Sequence, residues 1–280
     1  MASWSLTQRG LSRGLRLSAS MHASYGRRMT SSLPEHLRKA LAYSAMYPDL
    51  LPEPDLTRRN YVREMLERQD MLSRRRAIDI PEFYVGSYMS ITVSDQNAPG
   101  KKNTFVGICI YRRNHGLRHQ MALRNIVENE GIEMLYDLYS PIILEIKVLR
   151  LQKRLDDDLR YLRDALPEYS TVPWDMEPEP HREQGSVPVD ETRVIMKPRP
   201  WTQRWERKEL KGVKEWGLED RFFKRAVEVS KPWEKYDLMK EYRCMVPLED
   251  QYVVWKEVEE HRKTIEEEHK RSRRRKLLDA

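Results

Sequence analysis

The chain has 280 residues, 34% of them charged and 39% hydrophobic, with a formal net charge of +7. An ordinary soluble domain is roughly 25% charged, so this composition argues against one large core and for a small packed unit carrying helical or extended arms. The basic balance favours a polyanionic partner, nucleic acid or an anionic membrane surface. Cys109 and Cys244 are too few for a disulfide framework or a four-cysteine zinc site, and no stretch approaches the ~18–20 consecutive apolar residues of a membrane span.

Residues 1–33 carry Arg9, Arg13, Arg16, Arg27 and Arg28, several serines and no acid. At ~100° per residue, Trp4, Leu11 and Leu15 share one helical face, opposite Arg9, Arg13 and Arg16. That pattern predicts a mitochondrial transit peptide, with a disordered basic tail as the alternative. Residues 34–79 read as a helical extension. Pro34 to Tyr47 forms a short helix, interrupted by Pro48, Pro52 and Pro54. A second helix, capped by Thr57, runs to about Arg76. Tyr61, Val62, Met65, Leu66 and Leu72 make its apolar stripe. Its basic face ends in Arg74, Arg75 and Arg76 and serves either as a solvated surface or as a secondary RNA contact.

From Ile80 the apolar period becomes two. Met89, Ile91 and Val93 define a first strand, and Asn97, Pro99 and Gly100 a turn. Phe105 to Tyr111 is a nearly continuous apolar second strand containing Gly107. Met121 and Leu123 start a third, closed by the Glu128–Gly131 turn. Ile132, Met134, Tyr136 and Leu138 make a fourth, broken by Ser140-Pro141. Leu144, Ile146 and Val148 make a fifth, with Glu145 and Lys147 outward. Five short strands in about 70 residues predict a mainly β core closed into a small twisted barrel. Leu151, Leu155, Leu159, Leu162 and Leu166 then recur at helical spacing up to Pro167. On that helix Asp156, Asp157 and Asp158 diverge, so they form a salt-bridged face, Asp156 with Arg160 and Arg154 with Asp158, and not a metal site.

Seven prolines between Pro167 and Pro200 mark residues 167–280 as a proline-rich linker leading into an extended and helical C-terminal arm. Trp201, Trp205, Trp216, Trp233 and Trp255 lie among its charges; they could stack on bases, but in a segment neutral by count they are expected to anchor the arm on neighbouring proteins. The last segment, from Pro247, is helical, with Val254, Trp255, Val258 and Ile265 on one side. It ends in a cluster of Lys and Arg between Lys270 and Lys276.

No phosphate loop, dinucleotide fingerprint, nucleophile elbow or zinc-protease helix is present. His115 and His119 are four apart, but Gly116 and the flanking strands put them in a loop, and no acid or cysteine completes a ligand set. The sequence therefore gives no catalytic residue, metal, cofactor or small-molecule substrate. The run from Asn97 to Val127 is acid-free. Its loop Arg112–Arg118 can fork arginines onto phosphate oxygens, with Arg112, Arg113 and Arg118 as phosphate contacts. Asn114 and Gly116 would fix the turn, His115 is a further candidate RNA contact on it, and Lys101, Lys102 and Arg124 extend the basic surface.

The central segment resembles ribosomal protein nineteen of the bacterial large subunit, and the chain as a whole resembles that family's mitochondrial form. Ile80-Pro81-Glu82-Phe83-Tyr84-Val85-Gly86-Ser87, Phe105–Ile110, the loop Arg112–Leu117, Glu130-Gly131-Ile132-Glu133, Tyr139-Ser140-Pro141-Ile142-Ile143 and Tyr161-Leu162-Arg163 follow the family order and spacing across roughly residues 80–166. Leu162–Ser170 and Lys197-Pro198-Arg199-Pro200-Trp201 match the mitochondrial form. The resemblance implies an SH3-like β-barrel over residues 80–166. It also implies a structural role in the mitochondrial large ribosomal subunit, bound to ribosomal RNA and neighbouring ribosomal proteins near the subunit interface, with contact to the small subunit. Two departures stand out: His115 holds the family loop's second basic place, and Asp156, Asp157 and Asp158 dilute its basic C-terminal stretch. The alternative is a mitochondrial RNA-processing or ribosome-assembly factor using the same barrel.

Overall fold

The computed structural model describes residues 33–180, 186–237, 239, 242–243 and 245–278; residues 1–32 of the expected transit peptide and Cys244 lie outside them. Five antiparallel strands form the centre: β1 (Tyr88–Ser94), β2 (Lys102–Arg113), β3 (Gln120–Val127), β4 (Glu130–Asp137) and β5 (Ile143–Arg150). Their order is β4-β3-β2-β1-β5. Among the described residues no ladder joins the edge strands β4 and β5, so the sheet is not closed by hydrogen bonds. It is curled all the same, because Tyr136 of β4 and Ile143 and Ile146 of β5 enter one core with Met89, Ile91, Phe105, Cys109, Met121 and Leu123.

The expected alternation holds for Met89 and Ile91 of β1, but in β4 Ile132 and Met134 are exposed and Tyr136 alone is buried, although its register with β3 is regular. β5 is offset against β1 between Thr92 and Val93. Ile143 and Ile146 are consequently buried while Leu144 is exposed, contrary to the strict period-two reading. The unbroken apolar run of β2 also has a cause. Phe105 and Cys109 face the inner core, while Ile108 and Ile110 face a second one on the outside of the sheet, so both faces of the strand are dry. Gly107 permits the close approach of β3: a Cβ there would lie 2.6 Å from the Arg124 carbonyl oxygen.

Helices α1 (Glu35–Met46) and α2 (Tyr61–Ala77) precede the sheet. Asn60, not Thr57, caps α2: its carboxamide oxygen accepts from the N–H groups of Val62 and Arg63 at 3.1 and 3.3 Å. Thr57 sits one turn earlier, in a 3-10 turn capped by Asp55. The apolar stripe expected to bury α2 is mostly on its outside. Tyr61, Val62, Met65 and Leu66 are exposed, and the helix docks through Arg68, Met71 and Leu72. Helix α3 (Asp220–Val229) and the 31-residue α4 (Leu248–Leu278) complete the chain. Val254 and Val258 of α4 join the inner core beside Leu50 and Met71.

The helix expected over 151–166 is not formed. Lys153–Arg154 is a short strand, β6, parallel to β7 (Val189–Asp190), and Arg160–Arg163 is a 3-10 turn. The aspartates, which favour local and backbone partners over helix, take other bonds. Asp156 accepts from the N–H groups of Lys211 and Gly212 at 2.9 and 2.7 Å. Asp158 accepts from the Arg160 N–H and pairs with its guanidinium at 2.6 Å. Arg154 reaches Asp190, not Asp158. Leu159 and Leu162 are buried with Tyr161 in the outer core.

That core is completed by the C-terminal part of the chain. β8 (Val194–Ile195) pairs parallel with β9 (Val213–Glu215), and Val194, Met196, Trp205 and Val213 cover Ile108, Ile110 and Ala122. Trp205, expected to anchor the arm on a neighbour, is fully buried in its own chain and donates its indole N–H to Asp164 at 2.6 Å.

Candidate nucleic-acid interface

The turn between β2 and β3 is built on backbone that few residues tolerate. Asn114 and Gly116 both adopt positive φ, 63° each, and residues Gly116–Arg118 form a single 3-10 turn. A Cβ on Gly116 would lie 2.8 Å from Oε2 of Glu67, so glycine lets the turn rest against α2. Arg113, Asn114, His115 and Arg118 are exposed on this turn. Gln120 braces it, accepting from Arg113 at 2.7 Å and donating to Asp137 at 2.6 Å. Lys101 and Lys102 are exposed on the β1–β2 turn at the opposite end of β2 and make no ion pair among the described residues.

Arg112 does not belong to the exposed set. Its side chain is only 10% exposed, stacks on the Phe83 ring at 4.0 Å, donates to the Phe83 carbonyl at 2.7 Å and donates to Nε2 of His119 at 3.0 Å. It also faces the buried Asp49 carboxylate at 3.5 Å. Asp49 is the hub of this cluster. It receives Arg75 at 2.7 Å and the hydroxyl of Tyr139, which ties the N-terminal extension to the sheet. Burial alone would raise the Asp49 carboxyl, but Arg75, His119 and Arg112 together with the Tyr139 hydroxyl hold it at about 2. Burial and the neighbouring Arg112 push His119 down to about 4. His119 is therefore neutral, with Nε2 accepting and its Nδ1–H directed at the Asn114 carbonyl 3.0 Å away. A charged imidazole would lose the Arg112 bond.

Arg124 is likewise internal. It lies opposite Glu133 across the β3–β4 ladder, pairs with it at 2.8 Å and is 7% exposed. The cross-strand neighbour, invisible in the acid-free run, decides its role. The basic face of α2 divides in the same way. Arg75 is in the Asp49 cluster, Arg74 pairs with Asp70 at 3.0 Å, and Arg76 is half exposed, 3.9 Å from Glu268 of α4.

The turn and the first half of α2 border a groove of about 690 Å³, lined by Arg58, Arg63, Arg68, His115, Arg118 and Glu67 among others. The sequence did not point to Arg58 or Arg63. What singles them out is proximity to the turn, which spacing does not encode. Among the described residues, no group of His, Cys, Asp and Glu is arranged to hold a metal ion. Burial pushes the Cys109 thiol up to about 12, so it is an inert core group.

The turn is a rigid basic surface on a curled sheet, braced by helices, and its exposed arginines have the donor geometry that suits phosphate oxygens. A family model described as ribosomal protein L19 matches residues 62–172. The large ribosomal subunit protein bL19m of Drosophila melanogaster is 51% identical over 238 residues, covering 84% of this chain and 78% of that protein. The large ribosomal subunit protein bL19 of Ehrlichia ruminantium (strain Welgevonden) is 36% identical over 104 residues, 37% of this chain and 82% of the relative. The bL19c protein of Spinacia oleracea is 35% identical over 92 residues, 33% of this chain and 40% of the relative. The chain belongs to the ribosomal protein L19 family. That family is structural, and its member here is not an enzyme.

Proposed function

We propose that this chain is a structural constituent of the large subunit of the mitochondrial ribosome, fastened to ribosomal RNA through its β2–β3 turn and to neighbouring ribosomal proteins through its extensions. The observation that carries the reading is the 51% identity to a bL19m protein across 84% of the chain, arms included. Arg113, Asn114, His115, Gly116 and Arg118 form the phosphate-facing turn, with Lys101 and Lys102 as a second basic patch. Asn114 and Gly116 contribute by shape. Phosphate contacts position such a protein without reading base sequence.

The curled five-stranded sheet is read as an SH3-like barrel; the shared core of β4 and β5 supports this. The exposed Tyr61, Val62 and Leu66 of α2 suit a neighbouring protein, since a row of outward apolar side chains marks a contact surface. Contact with the small subunit, and import through residues 1–33, complete the proposal and follow from the resemblance and from the acid-free arginine pattern.

The test is a sucrose-gradient profile of the tagged protein from lysed mitochondria. Co-migration with assembled large subunits is expected. Restriction to immature particles would favour an assembly factor and refute the structural role.

A further inference from the structure

We propose that the C-terminal tip of α4 is a second RNA-binding element, a cationic rod enclosed by ribosomal RNA on more than one side. The proposal rests on the assignment to the ribosome but uses residues well outside the 62–172 family match.

Helix α4 is two electrostatic objects in one. From Leu248 to Glu268 it carries eight acids and three Lys or Arg residues. That acidic body lies along α2 in the same direction, with Asp250 on Arg59 at 2.6 Å, Glu257 on Arg68 at 2.7 Å and Glu268 near Arg76 at 3.9 Å. The last of these meets the end of α2. Beyond Glu268 the helix continues to Leu278, about 15 Å at 1.5 Å per residue. Lys270, Arg271, Arg273, Arg274, Arg275 and Lys276 fall in this extension without an acid. All six are exposed. Arg271 reaches Glu267 at 3.8 Å; the other five make no ion pair among the described residues.

Two features say what covers this tip. The pairs Lys270/Arg274 and Arg271/Arg275 are like charges at i,i+4, which destabilise an isolated helix; a polyanion would relieve them. Their directions matter more. At ~100° per residue the six cations leave no sector wider than ~100° uncovered. From His269 to Lys276 there is no apolar residue at all. An interfacial membrane helix needs an apolar face opposite its cations, and residues 269–276 supply none; Leu277 and Leu278 at the very end are too few to make one. A flat anionic surface would also satisfy only one side. Phosphates arriving from several directions, as between packed RNA helices, satisfy them all.

The test uses the full chain and protein-free large-subunit ribosomal RNA. Changing Lys270, Arg273, Arg274, Arg275 and Lys276 to Gln keeps good helix formers in place, and circular dichroism confirms the fold. The salt dependence of binding should fall by roughly 0.7–0.9 in log–log slope for each lost phosphate contact, about 3.5–4.5 in all if each of the five makes one. Replacing Arg273, Arg274 and Arg275 by Lys, which preserves charge, should leave that slope near wild type. A benzophenone amino acid placed at Arg271 or at Arg273, roughly 200° apart, should crosslink to RNA from either position in assembled subunits. Wild-type slope and affinity in the Gln variant would overturn the proposal while leaving the turn as the RNA site. Tip-dependent binding to cardiolipin-containing vesicles with RNA binding unchanged would overturn it in favour of a membrane. Crosslinks from one face only would overturn the enclosure. Failure of the wild-type chain to bind the RNA would instead remove the RNA-binding reading as a whole.

Discussion

Changing Asp49 to Asn tests whether the buried cluster, and not the arginine content of α2, holds the N-terminal extension on the sheet. Asn keeps the shape and removes the charge that Arg75 and Arg112 share. Their side chains are 14% and 10% exposed, and Asp49 is fully buried, so solvent cannot replace the lost partner. Breaking a buried pair from one side costs about 3–5 kcal/mol, because the remaining cation stays uncompensated. That is a large part of the ~5–15 kcal/mol that stabilises a typical domain. Urea unfolding of the full chain at pH 7, followed by circular dichroism and tryptophan fluorescence, should show a lower midpoint with unchanged slope. Glu145→Gln, which breaks an ion pair to Lys147 with both side chains about half exposed, serves as the control and should shift stability by less than about 1 kcal/mol. Asp49→Asn combined with Arg75→Met should lose less than the sum of the single changes. A loss below about 1 kcal/mol for Asp49→Asn would refute the hub.

Three further outcomes are expected. Arg113→Gln with Arg118→Gln should leave the fold intact and lower the salt slope of ribosomal RNA binding by about 0.7–0.9 per contact, whereas Arg112→Gln should act mainly on stability; equal RNA binding by the folded double variant would move the interface elsewhere. His119 titrates near 4 in the fold against 6.5 ordinarily, so the unfolded chain binds its proton first. Stability from this residue is complete above about pH 6.5 and declines as pH falls toward 4, an effect on the order of 3 kcal/mol; His119→Gln should flatten that part of the stability–pH curve, and an unaltered curve would count against it. Trp205→Ala should cost about 3–5 kcal/mol through an unfilled outer core, read as a lower unfolding midpoint, and a neutral result would show that residues 194–213 detach without consequence.

Much of the site was legible and much was not, for one reason. Sequence shows which side chains share a neighbourhood along the chain; it does not show what arrives from elsewhere. The Arg113–Arg118 turn is local: an Asn and a Gly that take positive φ, flanked by two strands, announce an exposed basic turn. Arg112 and Arg124 look identical to Arg113 and Arg118 in the same acid-free run. Asp49 lies 63 residues before Arg112, and Glu133 faces Arg124 only across a ladder. The apolar stripe of α2 misled in the same way: Tyr61, Val62, Met65 and Leu66 face outward, and a buried Arg68, paired with Glu257 from α4, faces inward with Met71.

By itself the sequence determined the five strands, the two N-terminal helices, the long last helix and the family, because period, turn chemistry and motif order are properties of neighbouring residues. The tertiary structure decided the rest. It turned the leucines of 151–166 into turns, since Asp156 and Asp158 found better partners in backbone N–H groups and Arg160 than in a helix. It drew residues 194–213 over the outer face of β2, since Ile108 and Ile110 needed a cover that only a distant segment could supply. It also separated structural from available arginines, since in a chain so rich in both charges only the fold determines which pairs meet away from water.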